Sequence, residues 1–132
     1  MTTSDLPAEG QPDVSTEGTE APFDDVITLS TSTGEDGVVT VTVVGEVDTF
    51  TAPVLRSTLD NQLEQSPKEL VIDLSGVQFL GSAGLAVLVE TQKSSRAREV
   101  SLRLIATTRA VTRPLEVTGL IDLFTIADST AR

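Results

Sequence analysis

The chain contains no cysteine and no histidine. The first absence excludes disulfides, thiol nucleophiles and thiolate zinc sites. The second excludes imidazole acid–base chemistry, and with it any Ser-His-Asp triad. A metal site would rest on carboxylates alone; none is expected, and no cofactor either. Cysteine-free composition fits a reducing cytoplasm, the expected location. Tryptophan and tyrosine are also missing, and four phenylalanines are the only aromatics. The core must therefore be built from Val, Leu and Ile. The chain also lacks the aromatic platforms on which single-stranded nucleic acid stacks. No apolar stretch reaches the roughly 20 residues of a membrane span. The first residues have neither the basic start nor the apolar run of a secretory signal, so none is expected.

Basic residues are absent from residues 1–25, where seven acids stand: Asp5, Glu9, Asp13, Glu17, Glu20, Asp24 and Asp25. The formal net charge of the 132 residues is −11, and the remainder carries thirteen acids against nine bases. Such a balance opposes direct binding to nucleic acid or to an anionic membrane, both of which need a positive field. Residues 1–24 are rich in Thr, Glu, Pro, Gly and Ser, and their apolar residues are isolated. Burial there cannot offset ordering entropy, so this segment reads as a disordered acidic tail, dispensable for folding. Residues 25–132 read as one domain.

What is present is a clear alternation of strand and helix patterns. Val26-Ile27-Thr28-Leu29 reads as a strand, and Thr33-Gly34-Glu35-Asp36-Gly37 as a tight turn. Val38–Val44 alternates branched residues with Thr, which completes a hairpin that Gly45 should end. Ala52, Leu55, Leu59 and Leu63 recur at helical spacing from about residue 51 to 65, with Pro53 tolerated in the first turn. Leu70-Val71-Ile72-Asp73-Leu74 is a short buried strand. Leu85, Leu88, Val89 and Gln92 predict the face of a second helix. Val100–Ile105 alternates as a strand. Thr107 or Thr108 would cap a third helix through Val111 and Leu115, with Pro114 kinking or shortening it and Gly119 at its C-terminus. Leu123-Phe124-Thr125-Ile126 predicts a last strand. The order ββαβαβαβ implies an α/β fold: a mixed, mostly parallel sheet with an N-terminal β-hairpin and packed helices.

Ser82 is the residue that stands out. It opens the second helix between Gly81 and Gly84. As a structural residue it is a preferred N-cap. As a functional one it sits where glycines allow another chain to come close, and where a phosphate would meet free N–H groups and the positive end of the helix dipole.

The run Val71-Ile72-Asp73-Leu74-Ser75-Gly76-Val77-Gln78-Phe79-Leu80-Gly81-Ser82-Ala83-Gly84-Leu85 resembles the signature of bacterial anti-sigma factor antagonists, which belong to the STAS domain family. Gly45-Glu46-Val47-Asp48-Thr49-Phe50-Thr51-Ala52-Pro53 resembles that family's acidic turn entering its first helix, and Val117-Thr118-Gly119-Leu120 a third segment. The resemblance spans about residues 26 to 127. It implies a protein that binds an anti-sigma factor with serine kinase activity and so frees a sigma factor. The kinase phosphorylates the serine opening the second helix, which corresponds to Ser82, and the complex dissociates. A serine/threonine phosphatase of the metal-dependent class resets the switch. Asp48 matches the acidic residue of the neighbouring loop. Asp48, Gly81, Ser82, Ala83 and Gly84 are then the expected partner-binding set. One position departs: Gly81 stands where the family usually has Asp before the serine.

Two other readings remain open. A STAS domain could serve as a binding or scaffold module of another system, such as a lipid-transport accessory or a signalling complex. An enzyme would have to use Glu46, Asp48 or Asp73. Asp73 reads instead as a structural anchor, and neither a phosphate loop nor a dinucleotide fingerprint is present. No catalysis is expected.

Overall fold

Five strands and three helices follow one another in the computed structural model, which describes residues 27–127. They are β1 (Ile27–Thr33), β2 (Val38–Val47), α1 (Ala52–Glu64), β3 (Glu69–Leu80), α2 (Ser82–Ala97), β4 (Ser101–Ile105), α3 (Arg109–Val117), a 3₁₀ turn (Leu120–Leu123) and β5 (Thr125–Ala127). The expected acidic tail lies outside the described residues. The sheet order is β1-β2-β3-β4-β5. β1 and β2 are the antiparallel hairpin, and every later pair is parallel. The expected order and the mixed sheet are both found.

Period-2 alternation sends Val39, Val41 and Val43 of β2 to one face, in register with Leu70 and Ile72 of β3 and Leu102 and Leu104 of β4. All three helices cover this face. Leu55, Leu59 and Leu63 of α1, Leu85 and Leu88 of α2, and Val111 and Leu115 of α3 close the same core. The opposite face carries Thr40, Thr42, Asp73 and Arg103 together with the buried Val71 and Ile105. Two partly buried charges, Arg103 and Glu69, lie 3.6 Å apart there.

Several boundaries differ from expectation for local reasons. β2 continues through Gly45 to Val47, and β3 runs twelve residues to Leu80 rather than stopping at Leu74. Register shifts between Thr42 and Val44 and between Gly45 and Glu46 are the cause. Each places one extra residue on β3, and a bulge breaks the alternation by which a strand is read. Asp73 serves the first of these irregularities. Its Oδ1 accepts hydrogen bonds from the Ser75 N–H (3.0 Å) and the Ser75 hydroxyl (2.6 Å), so it is an anchor. On α2 the buried line runs through Gly84, Leu88, Thr91 and Ser95, joined by Leu85 and Val87. Val89 and Gln92 are only half-buried, and the Gln92 amide donates to the Leu123 carbonyl. Pro114 lies inside a helix of only nine residues, and Gly119 follows it in the left-handed conformation at φ 75°. Leu123 ends the 3₁₀ turn and Phe124 precedes β5, so the last strand begins only at Thr125.

Candidate functional site

β2 and β3 are parallel and end side by side, with Val47 in register with Leu80. In α/β sheets the space beyond the carboxyl ends of strands is where ligands and partners are met. Two short connections occupy it here: Asp48–Thr51 leading into α1, and Gly81 leading into α2.

The first connection is tied by two side chains. Asp48 Oδ1 accepts from the backbone N–H groups of Phe50 (2.9 Å) and Thr51 (3.0 Å). The Thr51 hydroxyl accepts from the Asp48 N–H (2.9 Å) and donates its one proton to the Glu46 carbonyl (2.9 Å), with Asp48 Oδ1 at 3.2 Å as the competing acceptor. Thr51 is fully buried. This reciprocal pair fixes the loop that leads into α1, while no side chain caps the helix itself. Thr51 was not singled out from sequence. The signal was a threonine three residues after an aspartate, directly before a helix, a pattern that resembles a capping arrangement.

A testable consequence concerns this pair. Thr51→Val keeps the shape but removes the hydroxyl, leaving the Asp48 N–H and the Glu46 carbonyl without it. The expected cost is about 1–3 kcal/mol, read as a lower melting temperature, with looser partner binding as Asp48 moves. Thr51→Ser, which retains the hydroxyl, should recover most of both. A valine variant melting with the native chain would show that the loop does not depend on this bond.

The second connection corrects the cap assignment. Gly81, not Ser82, is the N-cap of α2. It is extended at φ −89° and ψ −178°, its carbonyl takes the first helical bond from Leu85 (3.0 Å), and no side chain caps the helix. Its own N–H is bound to the Val47 carbonyl at 2.9 Å, which ties the two connections together. Ser82 is the first helical residue and is exposed. The first-turn N–H groups of an α-helix have no partner within it. The first turn of α2 carries no acid, so the positive end of its dipole is not offset by the helix itself.

Asp48, Gly81, Ser82 and Ala83 line one open cleft of about 270 Å³ with Thr49 and Phe79. Four of the five expected site residues are thus brought together. Gly84 is not among them. It is buried, and a Cβ there would lie 2.6 Å from Val47 Cγ1 and 2.7 Å from Leu80 Cδ1. Its smallness lets α2 pack on the ends of β2 and β3.

Among the described residues no group of three or more acidic side chains is placed to hold a metal ion, and no helix is long and apolar enough to cross a membrane.

The family model of the STAS domain matches residues 30–132. The chain is similar to the anti-sigma-F factor antagonist RsfB of Mycobacterium tuberculosis, with 34% identity over 100 residues, covering 76% of this chain and 80% of that protein. It is similar also to the anti-sigma-B factor antagonist of Staphylococcus aureus, with 28% identity over 99 residues, covering 75% of this chain and 92% of that one. Among solved structures, an anti-sigma factor antagonist from Mycobacterium paratuberculosis superposes with a TM-score of 0.74 at 38% identity, covering 85% of this chain and 92% of that one.

Proposed function

The chain belongs to the STAS domain family, and on that premise we propose that it is an anti-sigma factor antagonist switched at Ser82. The unmodified chain binds, through the face around Ser82, an anti-sigma factor that is also a serine kinase, and a sigma factor is released. The chain acts by binding and not by catalysis. Its place of action is the cytoplasm, where sigma factors meet RNA polymerase.

Reversal is a phosphoryl transfer carried out by the partner. The Ser82 Oγ takes the γ-phosphoryl group of ATP, its proton passes to the kinase, and ADP leaves. A serine/threonine phosphatase later hydrolyses the ester, returning serine and inorganic phosphate. The observation that carries this reading is the position of Ser82: an exposed hydroxyl on the first residue of α2, in the cleft that Asp48 also lines.

The physics of the switch needs no refolding. A phosphate adds about −1.5 to −2 charge at neutral pH. In the free chain that charge is solvated and stands at the positive end of α2, so the fold tolerates it. In a complex it would be desolvated opposite a surface that had fitted a neutral hydroxyl, in a cleft that Asp48 also lines. An uncompensated buried charge costs several kcal/mol.

Incubation with the purified cognate anti-sigma factor and Mg-ATP tests the proposal. Mass spectrometry should find one phosphate, on Ser82, and the complex should dissociate as it accumulates. Phosphate on another residue, or none from a partner that binds, would overturn the assignment.

A further inference from the structure

We infer that Phe79 is the apolar anchor with which the Ser82 face grips its partner, and that Gly81 is bare because the Phe79 ring lies against it; the inference rests on the function proposed above. Phe79 is half-exposed, one of the large apolar side chains, with Val44 of β2, that the sheet leaves open to solvent. The second register shift of β3 sets it opposite Glu46, at the rim of the sheet. Every other side chain lining the cleft is polar or no larger than a methyl group: Asp48, Thr49, Gly81, Ser82 and Ala83. Phe79 is therefore the cleft's one large apolar surface.

The ring also lies close to Gly81. A Cβ on residue 81 would lie 3.1 Å from Phe79 Cε2 and 3.3 Å from Cζ, so the ring rests over the residue immediately before Ser82. The backbone of Gly81 is extended, a conformation open to any residue. Glycine is not needed there for its conformational freedom. Helix capping would favour Asn, Asp or Ser at this position, yet no side chain caps α2. What a side chain would meet is the ring. Apolar exposure continues beside the cleft, with Phe50 on the Asp48 loop and Val54 in the first turn of α1 both at least half-exposed.

Aromatic residues are enriched at the centres of protein interfaces, where their large area is covered at low entropic cost. The occupant is the anti-sigma factor, and the chemistry it must present is an apolar pocket for the Phe79 ring next to an uncharged hydrogen-bonding group for Ser82. The ring reads shape and the serine reads charge.

Calorimetric titration with the purified anti-sigma factor separates the alternatives. Half of the ring is already covered within the chain, so Phe79→Ala should weaken binding by about tenfold rather than a thousandfold. Gly81→Asn supplies a good cap, so the melting temperature should hold or rise while the displaced ring lowers affinity. The double variant should bind no worse than Phe79→Ala alone, since both changes remove the same contact. If Phe79→Ala stays within twofold of the native chain while Ser82→Asp abolishes binding, the anchor is wrong and the proposed function stands. If the native chain retains no anti-sigma factor at all, the function fails and the anchor fails with it.

Discussion

Ser82→Asp is expected to melt no earlier than the native chain and yet to bind its anti-sigma factor at least about a hundredfold more weakly. Both halves follow from the same position. Ser82 is exposed at the first helical residue of α2, whose first turn has no acid of its own. A carboxylate there interacts favourably with the helix dipole, by about 0.3–1 kcal/mol. In a complex the same carboxylate is an unpaired charge facing a surface built for a hydroxyl. Ser82→Ala should bind constitutively and resist phosphorylation. Because Gly81 is the cap and the Ser82 hydroxyl makes no capping bond, the alanine variant should differ in stability by no more than about 0.5 kcal/mol. A capping serine would instead lose about 1 kcal/mol. Thermal melts and binding titrations on the two variants therefore answer different questions. An aspartate variant that binds as the native chain does would sink the switch.

How much of this was legible beforehand depended on whether a residue type has one physical use or several. Leu55, Leu59 and Leu63 have one: at helical spacing they must face a core, and they do. Val39, Val41 and Val43 are equally unambiguous in a strand. The ends of β2 and β3 were not legible. Gly45 and Glu46 look like a turn, and in the structure they continue a strand through two irregularities whose cost is met by the partner strand. Ser82 stands out by its place at a helix start between glycines, but serine there is ordinarily a cap, so its switching role, like that of Asp48, rests on the family-like segments. Thr51 was missed because threonine fits strands, loops and caps alike, and only the mutual placement of Asp48 and Glu46 reveals which. Gly84 is ambiguous for a related reason. A glycine that admits a partner and a glycine that admits the rest of its own core leave the same letter in the sequence.

Those two meanings of Gly84 predict opposite outcomes. In most helices a glycine-to-alanine change gains stability, about 0.8–1.0 kcal/mol at an interior position. Here the sign should reverse. The added Cβ would fall 2.6 Å from Val47 Cγ1 and 2.7 Å from Leu80 Cδ1, well inside van der Waals contact. Neither neighbour can swing away into solvent, because Val47 and Leu80 are themselves buried. Overpacking of this kind typically costs about 1–3 kcal/mol, and a domain of about 100 residues shifts its melting temperature by roughly 4–8 °C per kcal/mol. Gly84→Ala should thus melt several degrees lower, and Gly84→Leu should fail to fold stably. Partner binding by the alanine variant should fall only in step with its unfolded fraction. Val47→Ala supplies the control, because it removes one of the two clashing groups. Gly84→Ala should cost less in that background than in the native one, a coupling expected only between residues in contact. If Gly84→Ala raises the melting temperature instead, and weakens binding on its own, the glycine faces the partner and α2 sits further from β2 than the structure places it.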